Sequence, residues 1–348
     1  MSQKAGFSSV SSSTLANISI ILLVGVLAIV HLKAVIQPLV VATLIFFLIR
    51  PPAQWLEERI GGHPLVAYGV LVSMVMGFLF FASNSMYENM QNFTNEAPEL
   101  EQSLQLKIAW LEDLSIFGYH MDTSALTGLI TIETVNSYAA GFVGTLAGFT
   151  TSFVTVLIFL LFIILEAETL PKRIKAAYPD DVDRIMTVAA GSGEGINTYV
   201  VTRATVAFGQ AIVAAIVLSA MDIPFVFLWA SITFLMDFIP YVGALLSIIP
   251  PILLGLIVLP STTSLLLIAL LVANQQVWGG VIEPQLAGQR LDMSPIVLLL
   301  LVAFWGWAWG IMGMVLGVPL AVIMKIGLES DDRTRPIAMM LSRDPSLD

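Results

Sequence analysis

The stretch that decides the fold is FVFLWASITFLMDFIPYVGALLSIIPPILLGLIVLP, residues Phe225–Pro260. It is apolar enough to lie in a lipid bilayer, but it also contains an acid, Asp237, and the helix-breaking residues Pro240, Gly243, Pro250, Pro251 and Gly255. Because proline removes an amide donor and clashes with the preceding turn, one smooth helix over this length is not expected. In hydrocarbon, the freed backbone groups need partners in the protein or in a wet cavity. The stretch therefore predicts either a broken segment at a transport site or a hairpin whose prolines only form the turn.

The whole chain has the composition of an integral membrane protein. Hydrophobic residues make up 57% of its 348 residues and charged residues 11%, whereas soluble domains contain about 45–50% and about 25%. Apolar runs of membrane length, about 20 residues, recur along it, and the first is interpreted as a retained span. The net charge of −10 argues against a nucleic-acid partner. The lack of cysteine excludes disulfides, thiolate metal sites and cysteine nucleophiles.

The alternation of apolar and polar stretches predicts an all-α polytopic membrane protein with about eight transmembrane helices plus a broken or re-entrant hairpin. Its segments are a flexible N-terminal tail (1–16), transmembrane helices 1–3 (17–82), an extracytoplasmic acidic amphipathic helical region (83–140), transmembrane helix 4 (141–166), a cytoplasmic helical segment (167–200), a core transmembrane bundle (201–328) and a cytoplasmic C-terminal tail (329–348). Whether residues 239–260 span the membrane or re-enter is left open.

Local signals refine these boundaries. Arg50-Pro51-Pro52 is expected to end the second span, and the polar tail beyond Glu329 is expected to fray. A flexible or tightly turned loop is predicted where Gly191, Gly193 and Gly195 alternate. In the acidic region one apolar helix face recurs at steps of three and four, and it is expected to pack on the protein, a neighbouring subunit or the membrane surface. That face consists of Leu100, Leu104, Ile108, Leu111 and Leu114.

Lysine and arginine positions predict the orientation. If both termini lie inside, only Lys33 and Lys107 fall outside, and nearly all other basic residues fall on the inner side. This positive-inside bias predicts a multi-pass protein of the inner (plasma) membrane with both termini cytoplasmic. In the last two spans, four-residue glycine steps suit tight helix packing. They are formed by Gly306, Gly310, Gly313 and Gly317.

The sequence contains no recognisable signature of an enzyme. HExxH, GxSxG and the phosphate-binding GxxxxGK[ST] motif are all absent. The three histidines, His31, His63 and His120, show no metal-ligand spacing. We therefore expect a protein that is not an enzyme and holds no metal or cofactor, with H⁺ or Na⁺ as a possible coupling ion.

Charged side chains inside apolar stretches are the first candidates for transport and coupling. An ionised Asp237 in lipid costs several kcal/mol unless it is paired, hydrated or protonated; the alternative is an acid at headgroup level that caps the next helix from Pro240. Glu283 lies at a span end and is expected to pair with Arg290 or Arg203. Arg203 either snorkels to the inner headgroups, which is slightly favoured, or neutralises an acid in the cavity.

Adjacent amides supply the remaining candidates. Asn274, Gln275 and Gln276 point in different directions on a helix, so at least one of them should face protein or water. Such an amide can bind a hydroxylated solute or lend an oxygen to Na⁺, although contact between helices is the commoner use. The candidate transport and coupling residues are Asp237, Pro240, Gly243, Pro250, Pro251, Glu283, Arg203, Asn274 and Gln276.

Several ordered blocks resemble the signature of the AI-2E family of membrane transporters, named after the autoinducer-2 exporters. They are DFIPYVG (Asp237–Gly243), IPP (Ile249–Pro251), VIEPQLAG (Val281–Gly288), SP (Ser294–Pro295) and GIMGMVLGVPL (Gly310–Leu320). The likeness is dense between residues 197 and 328. The resemblance implies a transporter that exports a small polar solute, with a quorum-sensing signal as the namesake substrate. Some members are instead described as Na⁺(Li⁺)/H⁺ antiporters.

Residues and resemblance together predict a proton-coupled exporter. In this hypothesis the segment 237–255 and the amides 274–276 enclose a midplane cavity, and the glycine-rich last spans slide between inward- and outward-open states. Only carboxylates are available to carry the proton, so Asp237 or Glu283 must do it. The close rival is the antiporter; more distant ones are a membrane scaffold that recruits a partner through 83–140, and a passive pore. The expected partners are the bilayer, a small polar solute or monovalent cation, and further copies of the chain in a homo-oligomer.

Overall fold

The computed structural model describes residues 12–60, 64–113, 153–287 and 293–343. These residues form helices joined by short turns, so the all-α prediction is confirmed. By length and composition, five helices in the described ranges can cross a membrane, or up to six if the bent pair α4–α5 is one span. The helices are α1 (Ser12–His31), α2 (Lys33–Ile60), α3 (Pro64–Asp113), α4 (Phe153–Glu166), α5 (Leu170–Ala177), α6 (Val182–Ala220), α7 (Val226–Met236), α8 (Val242–Val258), α9 (Ser261–Val277), α10 (Glu283–Ala287), α11 (Pro295–Trp309), α12 (Ile311–Glu329) and α13 (Arg335–Leu341), with a π-helical turn at Trp278–Ile282.

Helices α7 and α8 form a hairpin with both ends along the C-terminal half of α3. Phe93 of α3 makes edge contacts with the rings of Phe225 and Trp229, at centroid distances of 5.2 and 5.6 Å. Lys107 of α3 donates hydrogen bonds to the carbonyl oxygens of Leu256 and Leu259, where α8 ends at the base of the hairpin. The 11 residues of α7 extend only about 16 Å, about half of a hydrocarbon core. This geometry favours the re-entrant alternative over two full crossings.

A second hairpin, α11–α12, turns at Gly310, whose φ of +69° lies in the region that glycine adopts without strain. Its glycines lie between the two helices: a Cβ on Gly306 would lie 2.7 Å from Cγ of Met314, and one on Gly317 would lie 3.2 Å from Cα of Val302. The two hairpins meet on α6. Ile239 at the tip of α7–α8, Val302 of α11 and Tyr199 of α6 belong to one buried cluster.

The prediction that Arg50-Pro51-Pro52 ends a helix is wrong. Helix α2 continues through both prolines to Ile60. Ile49 and Ala53 on either side are 5% and 1% exposed, so side-chain burial continues across the prolines. The prolines follow the apolar part of α2, where water and headgroups can bind the carbonyl groups that they leave without a donor.

The glycines at 191, 193 and 195 lie inside α6 and not in a loop, which corrects a second prediction. A Cβ on Gly193 would lie 2.7 Å from Cδ1 of Phe47 in α2, and one on Gly195 would lie 2.9 Å from Cγ1 of Val322 in α12. These glycines therefore permit the close approach of three helices, a role that spacing alone does not distinguish from a turn. The predicted boundary at 200/201 falls inside the same helix, which has 39 residues.

The predicted boundary at 82/83 also falls inside a helix, since α3 runs unbroken for 50 residues. Met90, Phe93 and Leu100, at steps of three and seven, pack on the buried cluster formed by α6, α7, α8 and α9. The apolar face of the acidic region therefore contacts this chain's own core at Leu100. Residues 114–152, including the rest of that region and the start of predicted helix 4, lie outside the described residues, as do the side chains of Leu104, Ile108 and Leu111.

The C-terminal tail forms a helix as far as Leu341, so the prediction that it frays is wrong over α13. Ala338 is fully buried, and the main-chain N–H of Ser294 donates to the carbonyl oxygen of Leu341 at 2.8 Å. The helix thereby closes over the start of the second hairpin.

Candidate functional site

An ion triad lies where α6, the tip of the α7–α8 hairpin and α10 meet. It consists of Arg203, Asp237 and Glu283. Nη1 of Arg203 lies 2.5 Å from Oε2 of Glu283, and Nη2 lies 3.7 Å from Oδ1 of Asp237. Nε of Arg203 donates to the main-chain carbonyl oxygen of Asp237 at 2.5 Å. One guanidinium group thus connects the hairpin tip to the helix that comes after the π-helical turn.

The triad settles three alternatives from the sequence. Arg203 is 8% exposed and paired with two acids, so it does not snorkel to the headgroups. Asp237 is 4% exposed and pairs with Arg203 of α6, and the start of α8 has no side-chain cap bond, so Asp237 does not cap the next helix. Glu283 pairs with Arg203, as one of its two predicted partners; Arg290 lies outside the described residues.

The hairpin tip places Asp237 against α6 because its backbone turns sharply over five residues. Pro240 has no amide to continue α7, and its carbonyl oxygen accepts the N–H of Val242 at 2.7 Å. Tyr241 has a φ of +63°, a conformation that costs energy in any residue with a side chain. A Cβ on Gly243 would overlap the carbonyl oxygen of Met236, so only glycine fits there. Pro240 and Gly243 therefore act on the site through backbone geometry.

The charge of the triad is unbalanced, since one guanidinium faces two carboxylates. Glu283 has the short contact with Arg203, whereas the carboxylate of Asp237 has only the 3.7 Å contact. Its second oxygen, Oδ2, is buried without a hydrogen-bond partner among the described residues. A buried charge is costly unless it is paired and hydrogen-bonded. Asp237 is therefore the less well compensated acid, and the arrangement can accept one proton or one monovalent cation.

Glu283 reaches Arg203 because a π-helical turn, Trp278–Ile282, separates α9 from α10. A π turn inserts residues into the helical register and rotates the next helical segment, and such turns are frequent at functional sites. The indole of Trp278 lies directly on Gly209 of α6, where a Cβ would overlap the ring. This contact holds the turn against α6.

A second polar group, the amide cluster, joins Gln210 of α6, Ser247 of α8, and Asn274 and Gln275 of α9. Gln210 Nε2 donates to Gln275 Oε1, and Asn274 Nδ2 donates to the main-chain oxygen of Gln210 at 3.0 Å. Gln275 Nε2 donates to Ser247 Oγ at 3.0 Å and to the main-chain oxygen of Ala244 at 2.8 Å. The cluster lies about 10 Å from the triad along α6, given the rise between residues 203 and 210.

Of the four residues of the amide cluster, only Asn274 is among the candidates that the sequence nominated. Asn274 belongs to it, but Gln276 is exposed and its neighbour Gln275 makes the contacts. Gln210 was not nominated, although a lone amide in the apolar run of α6 is itself a signal for an intramembrane polar site. Pro250 and Pro251 lie inside α8, one turn beyond Leu246 and Ser247. Because proline has no N–H, the carbonyl groups of Leu246 and Ser247 lack their helical donors.

Comparison with known proteins identifies the family. The sequence model described as AI-2E family transporter matches residues 18–330, which include the triad, the amide cluster and both hairpins. The chain is 26% identical over 339 residues to "AI-2 transport protein TqsA" of Escherichia coli (strain K12), covering 94% of this chain and 97% of that protein. It is 25% identical over 321 residues to "Putative transport protein YhhT" of the same strain, covering 92% and 91%. A "Putative transport protein" of Haemophilus influenzae is 28% identical over 348 residues, covering 94% and 95%. This chain, a multi-pass membrane protein, therefore belongs to the AI-2E transporter family.

Proposed function

We propose that this transporter exports a small polar solute across the inner membrane and that Asp237 carries the coupled proton. The observation that supports this most strongly is the ion triad at the tip of the α7–α8 hairpin, in which Arg203 and Asp237 are buried. Ionisable groups inside the membrane are costly and are generally retained for transport or coupling. The name of the relative TqsA refers to transport of AI-2, so a small polar solute such as the autoinducer-2 signal is the first substrate to test.

The charge arithmetic of the triad favours Asp237 over Glu283 as the proton carrier. With both acids ionised, the triad has two negative charges and one positive charge. Arg203 keeps Glu283 at 2.5 Å and leaves Asp237 Oδ2 without a partner in the described structure. A proton on Asp237 removes the charge that is least compensated, whereas a proton on Glu283 would break the closest ion pair.

Protonation of Asp237 would also change how firmly the hairpin is held. The ionic part of its contact with Arg203 would be lost, while the bond from Nε of Arg203 to the main-chain oxygen of Asp237 would remain. We infer that the two protonation states favour different positions of the hairpin tip. A transporter needs such a difference, because an ion shifts a conformational equilibrium only by binding one state better.

The proposed orientation has both termini in the cytoplasm. The N-terminal end of α6 and the segment after α12 are then on the same inner side, and Arg184 Nη1 indeed lies 2.9 Å from Asp331 Oδ2. The C-terminal half of α3, with Lys107, lies on the outer side. The excess of lysine and arginine on the inner side supports this assignment.

Transport in proteoliposomes tests the proposal. We expect efflux of a small polar solute to depend on an imposed pH gradient in the wild type. Asp237→Asn should abolish that dependence, and Gln276→Leu, an exposed position on α9, should leave it unchanged. Asp237 is excluded as the carrier if Asp237→Asn keeps the full dependence. If no member of a panel of small polar solutes moves, the export proposal fails.

Antiport of Na⁺ or Li⁺ against H⁺ is a second candidate, favoured by the oxygen-rich amide cluster beside the triad. Everted vesicles loaded with a pH-sensitive dye distinguish the two. Under antiport, added NaCl or LiCl collapses the pH gradient without any solute; under solute export it does not.

We also propose that the protein is a homo-oligomer. Only 6% of the apolar window of α3 is buried within the chain, and this helix exposes a row of large rings, Phe78, Phe80 and Phe81. Since the chain has no cysteine, Phe80→Cys would provide one reactive thiol per subunit. We expect cross-linked species in native membranes; a purely monomeric mass in native mass spectrometry and no cross-linking would contradict the proposal.

A further inference from the structure

We propose that the amide cluster is a binding site for a dehydrated monovalent cation, Na⁺ or Li⁺, held by neutral oxygens between α6, α8 and α9. The inference rests on the proposed transport function, and for its second candidate, antiport, it names the site of the transported cation. The site is distinct from the triad and contains none of its residues.

Two amide oxygens of the cluster have no donor. Gln210 and Asn274 are 1% and 7% exposed. Gln210 Oε1 and Asn274 Oδ1 are both buried and make no hydrogen bond within the described part of the chain. Buried polar atoms in native proteins nearly always have a partner, so a matched pair of unsatisfied acceptors at one site indicates a missing ligand.

The broken part of α8 supplies further oxygens at the same place. Ser247 is 1% exposed, and its hydroxyl group donates to Ala244 O at 3.1 Å while it accepts from Gln275. The main-chain oxygen of Ser247 has no helical donor, because the residue four positions later is Pro251. Carbonyl oxygens released by interrupted helices are the groups that membrane transporters use to coordinate Na⁺.

The chemistry of the cluster favours a metal cation over a proton or a solute. No carboxylate or imidazole belongs to the cluster, so nothing there takes up a proton near neutral pH. The side-chain nitrogens of Gln210, Asn274 and Gln275 already donate to oxygens, and the unsatisfied atoms of these side chains are oxygens. Each unsatisfied oxygen exposes less than 1 Å², which suits a small bare ion and not a solute. Carbonyl oxygens suit hard cations.

The nearby triad would strengthen binding of such a cation. Its excess negative charge lies about 10 Å away along α6. In a medium of effective dielectric constant about 20, one unit charge at that distance changes a cation's affinity by on the order of tenfold. Asp237→Asn, which removes this charge without touching the cluster, is therefore expected to weaken binding by about that factor.

Equilibrium binding of ²²Na⁺ to purified full-length protein in nanodiscs, at constant pH and ionic strength, tests the site. We expect saturable binding that excess Li⁺ or Na⁺ displaces and choline does not. Gln210→Leu and Asn274→Leu should each weaken it at least tenfold, and the matched control Gln276→Leu should bind like the wild type. Absence of saturable binding in the wild type, or equal binding by Gln210→Leu, overturns the proposal.

A second variant keeps the test decisive if the leucine variants do not fold. Ser247→Ala removes one oxygen of the cluster with little change in volume, so it should bind Na⁺ more weakly than the wild type; binding equal to the wild type counts against the site. Because binding is read without transport, the two proposals fail separately. Na⁺ binding without solute flux removes the export proposal only, and solute flux without Na⁺ binding removes the cation site only.

Discussion

The hairpins α7–α8 and α11–α12 are closed by the same device but differ at their tips. In each, a glycine lies so close to the preceding helix that a Cβ would overlap a carbonyl oxygen: Gly243 against Met236, and Gly313 against Trp305. Each turn also contains a residue with positive φ. In the first hairpin that residue is Tyr241, which carries a side chain, and in the second it is Gly310.

The two tips differ in the side chain that each presents to its neighbouring helix. The first tip presents Asp237 to Arg203 of α6. The second tip presents Trp309, whose indole Nε1 donates to the carbonyl oxygen of Ile29 in α1 at 3.0 Å. Glycine closure is therefore a property of both hairpins, and only the tip of the first carries an acid. We expect substitutions to follow this division.

The largest effect should come from Arg203→Met. It leaves the buried Asp237 and the half-buried Glu283 without their cation, and breaking a buried ion pair costs about 3–5 kcal/mol. Thermal unfolding in detergent, followed by size-exclusion fluorescence, should show a large loss of stability. Adding Asp237→Asn and Glu283→Gln should restore much of it. If the triple variant is no more stable than Arg203→Met, uncompensated charge is not the cause.

The next effect tests the shared device. Gly243→Ala and Gly313→Ala each force a Cβ into a backbone carbonyl, and overpacking of this kind costs about 1–3 kcal/mol or more. We expect both to lose stability in the same unfolding assay. The control is Gly77→Ala in α3, where a Cβ meets nothing within 4 Å and where alanine is a better helix former. A loss of stability in only one of the two variants would mean that the hairpins are not closed in the same way.

A smaller effect is expected at the uncharged tip. Trp309→Phe keeps a ring in the buried cluster but removes the bond to Ile29, and one such hydrogen bond contributes a net of about 0.5–1.5 kcal/mol. Stability should fall slightly while solute transport and its pH dependence stay as in the wild type. A change in pH dependence would show that the second hairpin also takes part in coupling.

The smallest effect concerns the exposed contact beyond the second hairpin. The hydrogen bond from the N–H of Arg333, and after it the guanidinium of Arg184, hold the pKa of the Asp331 carboxyl below its ordinary value, against the opposing effect of desolvation. Because the pKa is lower in the folded state, the ionised carboxyl stabilises the folded protein at pH values above its ordinary pKa, about 4. This contribution is lost as the pH falls through the lowered pKa. Asp331→Asn should therefore reduce the difference in unfolding temperature between neutral pH and pH of about 3. An unchanged difference would assign the acid sensitivity to other groups.

The sequence predicted best those features that depend on local pattern. The bounds of α11 and α12 and the break near Asp237 follow directly from apolar runs and from Gly310 and Pro240. Other features depended on what lies on the far side of a helix. The glycines of α6 face Phe47 and Val322, and a glycine pattern does not state whether it opens a turn or a helix crossing.

The amide cluster shows the same limit at the site. Asn274, Gln275 and Gln276 are related by a rotation of about 100° per residue, so their adjacency establishes that they diverge but not which of them faces α8. The choice of Gln276 over Gln275 was a one-residue error in that rotation. Glu283 was paired with Arg203 or Arg290 without knowledge of the π-helical turn, which sets its direction. Register inside the membrane is fixed by the neighbouring helices, which a single sequence does not display.

Helix α3 provides a mechanical link that the hairpin alone would not have. It is one rod of 50 residues, about 75 Å long, and Lys107 near its C-terminal end binds the two carbonyl groups where α8 finishes. Any excursion of the hairpin must either move this rod or release the lysine. A spin label placed near residue 107 would therefore report movement of the hairpin from a position far from Asp237.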